Sequence, residues 1–227
     1  MSVYRENALK RWNKDLGLNL NVNHQFFTNP QTPESCYCLG FIWADGYLYQ
    51  PTNKISLELI TDDIEDIKHL FLLSGKWHLT SRIRKNRKSQ SCLSANNRFL
   101  FDFLKDNDYL TKSQASPTKI LSVIPDNLKH YWWRGFFDGD GCWYANQKYY
   151  VFQAQLAGSY NQDWASAEEL CKSLDIKYSL SRRQQGENYS SCIRICGQNA
   201  KIFGRYIYRD WNFIGLNRKY CKYLLNL

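Results

Sequence analysis

The sequence predicts an α+β protein that builds the same unit twice, as two pseudo-symmetric αββαββα subdomains within 227 residues. Three observations predict it. An apolar segment ending in AspGly occurs at 38–46 (Cys-Leu-Gly-Phe-Ile-Trp-Ala-Asp-Gly) and again at 133–141 (Trp-Arg-Gly-Phe-Phe-Asp-Gly-Asp-Gly). Each copy is followed by an alternating stretch and then a helical pattern, in the same order. Between the two units lies a stretch whose periodicity breaks at Ser116-Pro117 and Ile124-Pro125-Asp126.

Residues 1–30 belong to neither repeat and are expected to form an N-terminal extension, with a short helix near Tyr4 to Asp15 and then an arm. The first subdomain is assigned to 31–108. After its motif, Lys54 to Leu59 alternates with period two and predicts a strand with one buried face. Asp62 and Asp63 then open a helix carrying Ile64, Ile67, Leu70 and Phe71 on its apolar side. Two more strands are expected around His78 to Arg84 and Ser91 to Ser94, and a helix near Phe99 to Leu104. Residues 109–127 form the linker. In the second subdomain, 128–227, the counterparts are a strand at Phe152 to Leu156 and a helix after Ser159 or Asn161 with Trp164, Ala167, Leu170 and Leu174. Strands follow at Tyr178 to Arg182 and Cys192 to Cys196, then a helix near Ile202 to Tyr208. Leu216 to Tyr220 reads as a terminal helix or tail docked on the second half.

Composition narrows the function classes. There is no run of eighteen apolar residues, and the charged stretch from Met1 to Lys14 lacks the apolar core of a signal peptide. A soluble intracellular protein without membrane partners is expected. The balance of 30 Lys+Arg against 21 Asp+Glu, a formal charge of +9, favours a polyanionic partner. The eight cysteines include the pairs Cys36/Cys38 and Cys192/Cys196, which lack CxxC spacing. His24, His69, His78 and His130 complete no zinc pattern with them, so reduced, mostly buried thiols are expected. The aromatic residues sit in apolar runs and are read mainly as core.

The repeated segments carry the chemistry. Gly40 and Ala44 in one, and Gly135 and Gly139 in the other, lie four apart and so share a helical face, which lets two backbones approach. Large apolar neighbours (Leu39, Phe41, Ile42; Trp132, Phe136, Phe137) mark both helices as buried. Packed together, they become the seam of a pseudo-dimer. Each ends in an acid, Asp45 or Asp140, at the negative end of the helix dipole, where a carboxylate costs up to about 1 kcal/mol. Side by side, the two acids repel unless a cation lies between them. Together with backbone carbonyls such as those of Ala44 and Gly139, they make a hard oxygen site suited to Mg²⁺, with Mn²⁺ able to substitute. Gly46 and Gly141 are expected to stop the helices in the left-handed conformation. A single AspGly after an apolar helix is ordinary turn chemistry; its recurrence at the same place in a duplicated unit is what points to function.

Both segments are similar to the motif of the LAGLIDADG homing endonucleases, and two motifs in one chain match that family's monomeric form. The lead-in Val22 to Phe27 and the ending Arg218-Lys219-Tyr220 with Lys222 extend the likeness over nearly the whole chain. The resemblance implies that the last acid of each motif, Asp45 and Asp140, is a metal ligand in phosphodiester hydrolysis of double-stranded DNA, with staggered cuts leaving 3′ overhangs. Trp43 departs from the motif at its middle acid, where the second copy keeps Asp138. A basic residue near the start of the helix after the fourth strand is also implied to assist: Arg98 in the first half, and Gln198 or Lys201 in the second.

The resemblance further implies saddle-shaped sheets whose concave faces enter the major groove. Arg82 and Arg84 alternate with Ser81 and Ile83, Gln153 and Gln155 with Phe152, Ala154 and Leu156, and Arg194 lies between Ile193 and Ile195. Arg and Gln suit bidentate contacts to guanine and adenine edges. Lys85, Arg87 and Lys88, around Asn86 in an expected hairpin loop, suit phosphate contacts, with Arg182 and Arg183 in the equivalent second loop. Two rival readings use the same scaffold: a maturase that assists intron splicing, and a DNA-binding descendant without cleavage. An intein-embedded form is not expected, since no splicing block precedes the first repeat.

Overall fold

The computed structural model describes residues 22–83, 88–185 and 188–227, without side chains for 185–188. The expected helix at Tyr4 to Asp15 lies outside these residues, as do Arg84, Lys85 and Arg87. The first half runs α1 (Gln25–Thr28), α2 (Pro33–Asp45), β1 (Gly46–Tyr49), β2 (Lys54–Ile60), α3 (Thr61–Leu72), β3 (His78–Arg82), β4 (Gln90–Asn96) and α4 (Arg98–Asp106). After α5 (Thr118–Val123), the second half repeats the order: α6 (Lys129–Asp140), β5 (Gly141–Asn146), β6 (Val151–Ser159), α7 (Ala165–Ser173), β7 (Tyr178–Gln185), β8 (Asn188–Cys196) and α8 (Gln198–Ile207). A final helix, α9, spans Asn217–Leu224. From α2 to α4 and from α6 to α8, each half is therefore αββαββα.

Each half forms one antiparallel four-stranded sheet, ordered β1-β2-β4-β3 and β5-β6-β8-β7. The registers correspond: Gly46 pairs with Leu57 and Leu57 with Leu93, as Gly141 pairs with Leu156 and Leu156 with Ile193. Alternation buries Ile55, Leu57, Leu93 and Ala95 in one half, and Ala154, Leu156, Ile193 and Ile195 in the other, beneath the helices. The opposite faces are left open.

Local signals explain the first motif helix. Thr32 caps α2 and exchanges bonds with Ser35 in a capping box, Pro33 opens the first turn, and Glu34 complements the dipole there. Every residue from Ser35 to Ala44 is buried, because a second helix covers it. That helix is α6, and the two touch backbone to backbone. A Cβ at Gly40 would collide with the carbonyl of Trp132, and one at Gly135 with the carbonyl of Tyr37, two contacts related by the repeat. The glycines thus set the distance between the halves.

Several expectations need correction. Gly46 (φ −69°) and Gly141 (φ −99°) are extended rather than left-handed. Glycine is required there by crowding, since a Cβ would strike the carbonyl of Ile42 or the backbone and ring of Phe137. The segment from Val22 is packed into the first half: Val22 bridges Gly75, its carbonyl accepts from Asn97 Nδ2 at 3.1 Å, and Phe27 is buried. Only Cys36, Cys38 and Cys171 among the free thiols are fully buried, whereas Cys142, Cys196 and Cys221 are exposed. Tyr47, Tyr49 and Tyr144 are exposed on the open sheet faces rather than in the core. No helix among the described residues is long and apolar enough to cross a membrane.

Candidate active site and DNA-facing sheets

The motif helices end together at the seam. Asp45 lies against the partner helix, where a Cβ on Gly139 would come within 2.9 Å of its Oδ2. Burial raises the Asp45 carboxyl above its ordinary range against the pull of Lys112 and Lys219. Asp140 is pushed up to about 6, first by burial and then by Asp45. The two carboxylates thus sit within electrostatic reach of each other and repel.

Each helix end is held by a lysine that sequence reasoning did not assign. Lys112 Nζ donates to the carbonyls of Ile42 (3.3 Å), Ala44 (2.6 Å) and Gly46 (2.7 Å). In the second half, Lys219 Nζ donates to the carbonyls of Phe137 (2.8 Å), Asp138 (2.5 Å) and Gly141 (2.6 Å). Each ammonium satisfies carbonyls left over at a helix C-terminus and offsets the negative dipole there. Burial lowers Lys112 to about 8, while Asp140 and Asp45 act to keep it charged. Lys219 is likewise lowered by burial and supported by Asp138 and Asp45. Because Lys112 binds the carbonyl of Ala44, that oxygen is already engaged by a cation.

Arg98 and Lys201, expected to assist, are placed elsewhere. Tyr49, Lys54 and Asn96 form one rung at the end of the first sheet farthest from Gly46, and Arg98 lies just beyond it. Its guanidinium faces Asp102 at 3.5 Å. In the second sheet, Tyr144, Gln153 and Cys196 form the corresponding rung, and Lys201 lies past it in α8, bonded to the carbonyl of Leu227. The helix after the fourth strand therefore starts away from the acids. Gln198, the alternative, opens that same helix.

The middle acid of the second motif has a structural partner set. Asp138 is fully buried and accepts from Tyr37 Oη at 2.9 Å, across the seam, and from the Leu216 amide at 2.8 Å. Burial pushes it up to about 6, with Lys219 opposing. Arg134, also buried, donates to the carbonyls of Ile207 (2.6 Å) and Ile214 (2.9 Å) between the rings of Tyr131 and Trp211. In the first motif Trp43 replaces these bonds with an edge-on contact to Tyr109 at 4.9 Å.

The open sheet faces gather most of the described polar candidates. Gln153 and Gln155 share a face with Arg194, which pairs with Gln155, and with Arg183. In the first half, Arg82 pairs with Gln90 on the exposed side, and Lys88 is exposed beyond it. Arg182 and Arg183 lie within β7 rather than in a loop, and they face opposite ways. Arg182 pairs with buried Ser191, and its Nε donates to the carbonyl of Tyr160 at 3.0 Å, so it braces the loop before α7.

Two αββαββα units joined through paired acid-ended helices, each with an open sheet face, define a single-chain pseudo-dimer. Comparison with solved structures shows that the chain has the LAGLIDADG homing endonuclease fold. The homing endonuclease I-WcaI bound to its DNA recognition sequence superposes with a TM-score of 0.56 and 18% identity, covering 92% of this chain and 96% of that one. The LAGLIDADG homing endonuclease I-LtrWI bound to target DNA gives 0.54 at 12% identity, over 85% and 89% of the two chains. I-DmoI in complex with DNA and Ca gives 0.51 at 10% identity, over 79% and 91%. No family model matches the sequence. Among curated proteins, ribonucleoside-diphosphate reductase NrdEB subunit alpha of Bacillus subtilis (strain 168) is 23% identical over 169 residues. That match covers 67% of this chain and only 16% of the reductase subunit, and the protein of the same name from Bacillus phage SPbeta matches equally.

Proposed function

We propose that the chain is a site-specific, divalent-metal-dependent endonuclease that acts as a monomer on a long, asymmetric double-stranded DNA site and leaves 3′ overhangs. The observation that carries this reading is the pair of partly buried acids at the seam, each on a helix whose C-terminal carbonyls are held by a lysine. Stability does not favour two repelling carboxylates at two helix ends, so a cation that needs them explains their presence. The solved structures that share the fold support it, being homing endonucleases bound to DNA, one of them with Mn.

The donor set fits such an ion. Among the described residues no three His, Cys, Asp or Glu side chains converge, so Asp45 and Asp140 would hold it with backbone oxygen, water and DNA phosphate. Mg²⁺ commonly accepts one or two carboxylates and keeps several waters. When bound, the metal activates water and neutralises charge on the scissile phosphates. The protein's own part is to hold both carboxylates ionised near neutral pH and to keep two ammonium groups beside them. Lys112 and Lys219 fix the helix ends and supply positive charge where a phosphate must approach. Arg82, Gln153, Gln155, Arg183 and Arg194 read bases in the major groove, and Lys88 meets phosphate. Two sheets on one chain span on the order of two helical turns.

Asp45→Asn and Asp140→Asn test the reading. Each should abolish double-strand cleavage of a site recovered by cleavage selection from a randomised DNA library, with binding to that site kept within a few-fold. Full cleavage by either variant would sink the assignment.

A further inference from the structure

Lys219 reaches the second motif helix from α9, and α9 is anchored to the opposite half. Arg218 lies two-pronged on Asp63 of α3, with Nε to Oδ1 at 2.6 Å and Nη2 to Oδ2 at 2.7 Å. The amide of Asn217 donates to Asp66 Oδ2, also on α3, at 3.2 Å. One residue earlier, the Leu216 amide donates to Asp138. Three consecutive residues at the start of α9 are thus tied down, two of them to the first half. The next residue is Lys219. Two parallel charge-assisted bonds fix direction as well as distance, and Asp63 is only 6% exposed, so the pair is screened little by solvent on that side. The turn that carries Lys112 is braced from the second half in a different way, among the described residues by neutral bonds only: the Ser159 hydroxyl donates to the carbonyl of Ser113, and Gln162 Nε2 to that of Ala115 at 2.5 Å.

We propose that Arg218 and Asp63 are positioning residues that hold Lys219 on the end of α6, so that the second site is completed by the first half of the chain. Asp66 adds a weaker anchor of the same kind, placing negative charge at the N-terminus of α9. The proposal rests on the endonuclease reading only for its catalytic consequence. The placement of Lys219 itself can be measured without DNA. A direct phosphate contact by Arg218 is the competing role, because Arg218 lines a cavity of about 230 Å³ with Lys219 and Lys222.

Trace acetylation of the whole protein with acetic anhydride, read by mass spectrometry, reports how well each lysine is held. In Arg218→Met and in Asp63→Asn, Lys219 should become about tenfold more reactive through local opening, while Lys112 is unchanged. Unchanged Lys219 reactivity, or an equal rise at both lysines, would overturn the proposal. The second arm follows each strand of the selected duplex separately. Lys219→Met should slow one strand by about 10²-fold or more, and Arg218→Met and Asp63→Asn should slow that same strand with DNA binding nearly kept, assayed well below each variant's melting transition, because loss of one partner of the pair lowers stability. Arg218→Lys, which keeps one prong of charge, should recover part of the rate. If Asp63→Asn cleaves both strands normally while Arg218→Met does not, Arg218 acts on DNA directly and the positioning role is wrong. Normal cutting of both strands by Lys219→Met would instead strike the functional reading, leaving the acetylation result to decide the clamp.

Discussion

Replacing Asp140 with Asn is expected to stabilise the protein in a chelator even as it removes the chemistry. The Asp140 carboxyl is raised from 3.8 to about 6 in the folded chain. Below about pH 4 it is protonated in folded and unfolded chains alike and costs folding nothing. Between about pH 4 and pH 6 the folded protein keeps a proton that the unfolded chain has released, so stability falls as pH rises through that window. Above it, the full cost remains. At about 1.4 kcal/mol for each pH unit, the loss is about 3 kcal/mol near neutral pH. The Asp140→Asn variant cannot ionise and escapes it. For a chain of this size that corresponds to a gain of roughly 6–12 °C in melting temperature. Melts followed by circular dichroism in EDTA should show this gap at about pH 7.5 and lose it near pH 4. Saturating Mg²⁺ should narrow it by stabilising the wild-type protein. A wild-type protein as stable as the variant at neutral pH in EDTA, or a gap indifferent to pH, would refute the raised Asp140 carboxyl that burial and Asp45 together produce.

Cleavage should require Mg²⁺ or Mn²⁺ and stop in EDTA, with Ca²⁺ supporting binding alone; cutting that persists in excess chelator would remove the metal from the scheme. Arg194→Ala and Arg82→Ala should relax specificity at particular base pairs by about 1–3 kcal/mol each. Lys88→Ala should instead weaken all sequences alike and lower the salt slope by about one. Profiling on a mutated-site library separates the two classes. Sedimentation of the complex should give one chain per duplex on a non-palindromic site, because Lys54, Ser56 and Glu58 in β2 stand where Gln153, Gln155 and Ala157 stand in β6, and the halves read differently. Two chains per site would overturn the pseudo-dimer as the active form.

The duplication made most of the architecture legible. Each motif helix, the longer strand that follows it and the two later helices could be located once, then again, and the glycines of the seam announced themselves by spacing, whereas β1 and β5, running straight on from the motif glycines, carried no separate signal. Asp45 and Asp140 were visible for the same reason. The lysines were not, because they break the repeat: Lys112 sits in a turn after α4, whereas Lys219 sits within a further helix that the first half lacks. Their function depends on reaching back to carbonyls about seventy residues away or more, which no local pattern records. Arg98 and Lys201 were named from what the resemblance implies for the helix after the fourth strand, and only the register reveals that this helix starts at the end of each sheet away from Gly46 and Gly141. Arg182 was misjudged because the second hairpin's strands are longer than the first's, which turns a loop position into an inward-facing strand position.

The crossing of α9 onto α3 limits how far the two halves can be treated as exchangeable parts. A boundary drawn at the end of α4 would strip the first half of Lys112, so any chimera must keep the chain at least through that turn. A transplanted second half would carry Arg218 and Lys219 but would need a new host that offers acids where Asp63 and Asp66 stand. Recombination between relatives is therefore expected to succeed by whole chains, or by halves accompanied by a matched α3. Free exchange of DNA specificities by shuffling halves would be confined to partners that share this acidic pair.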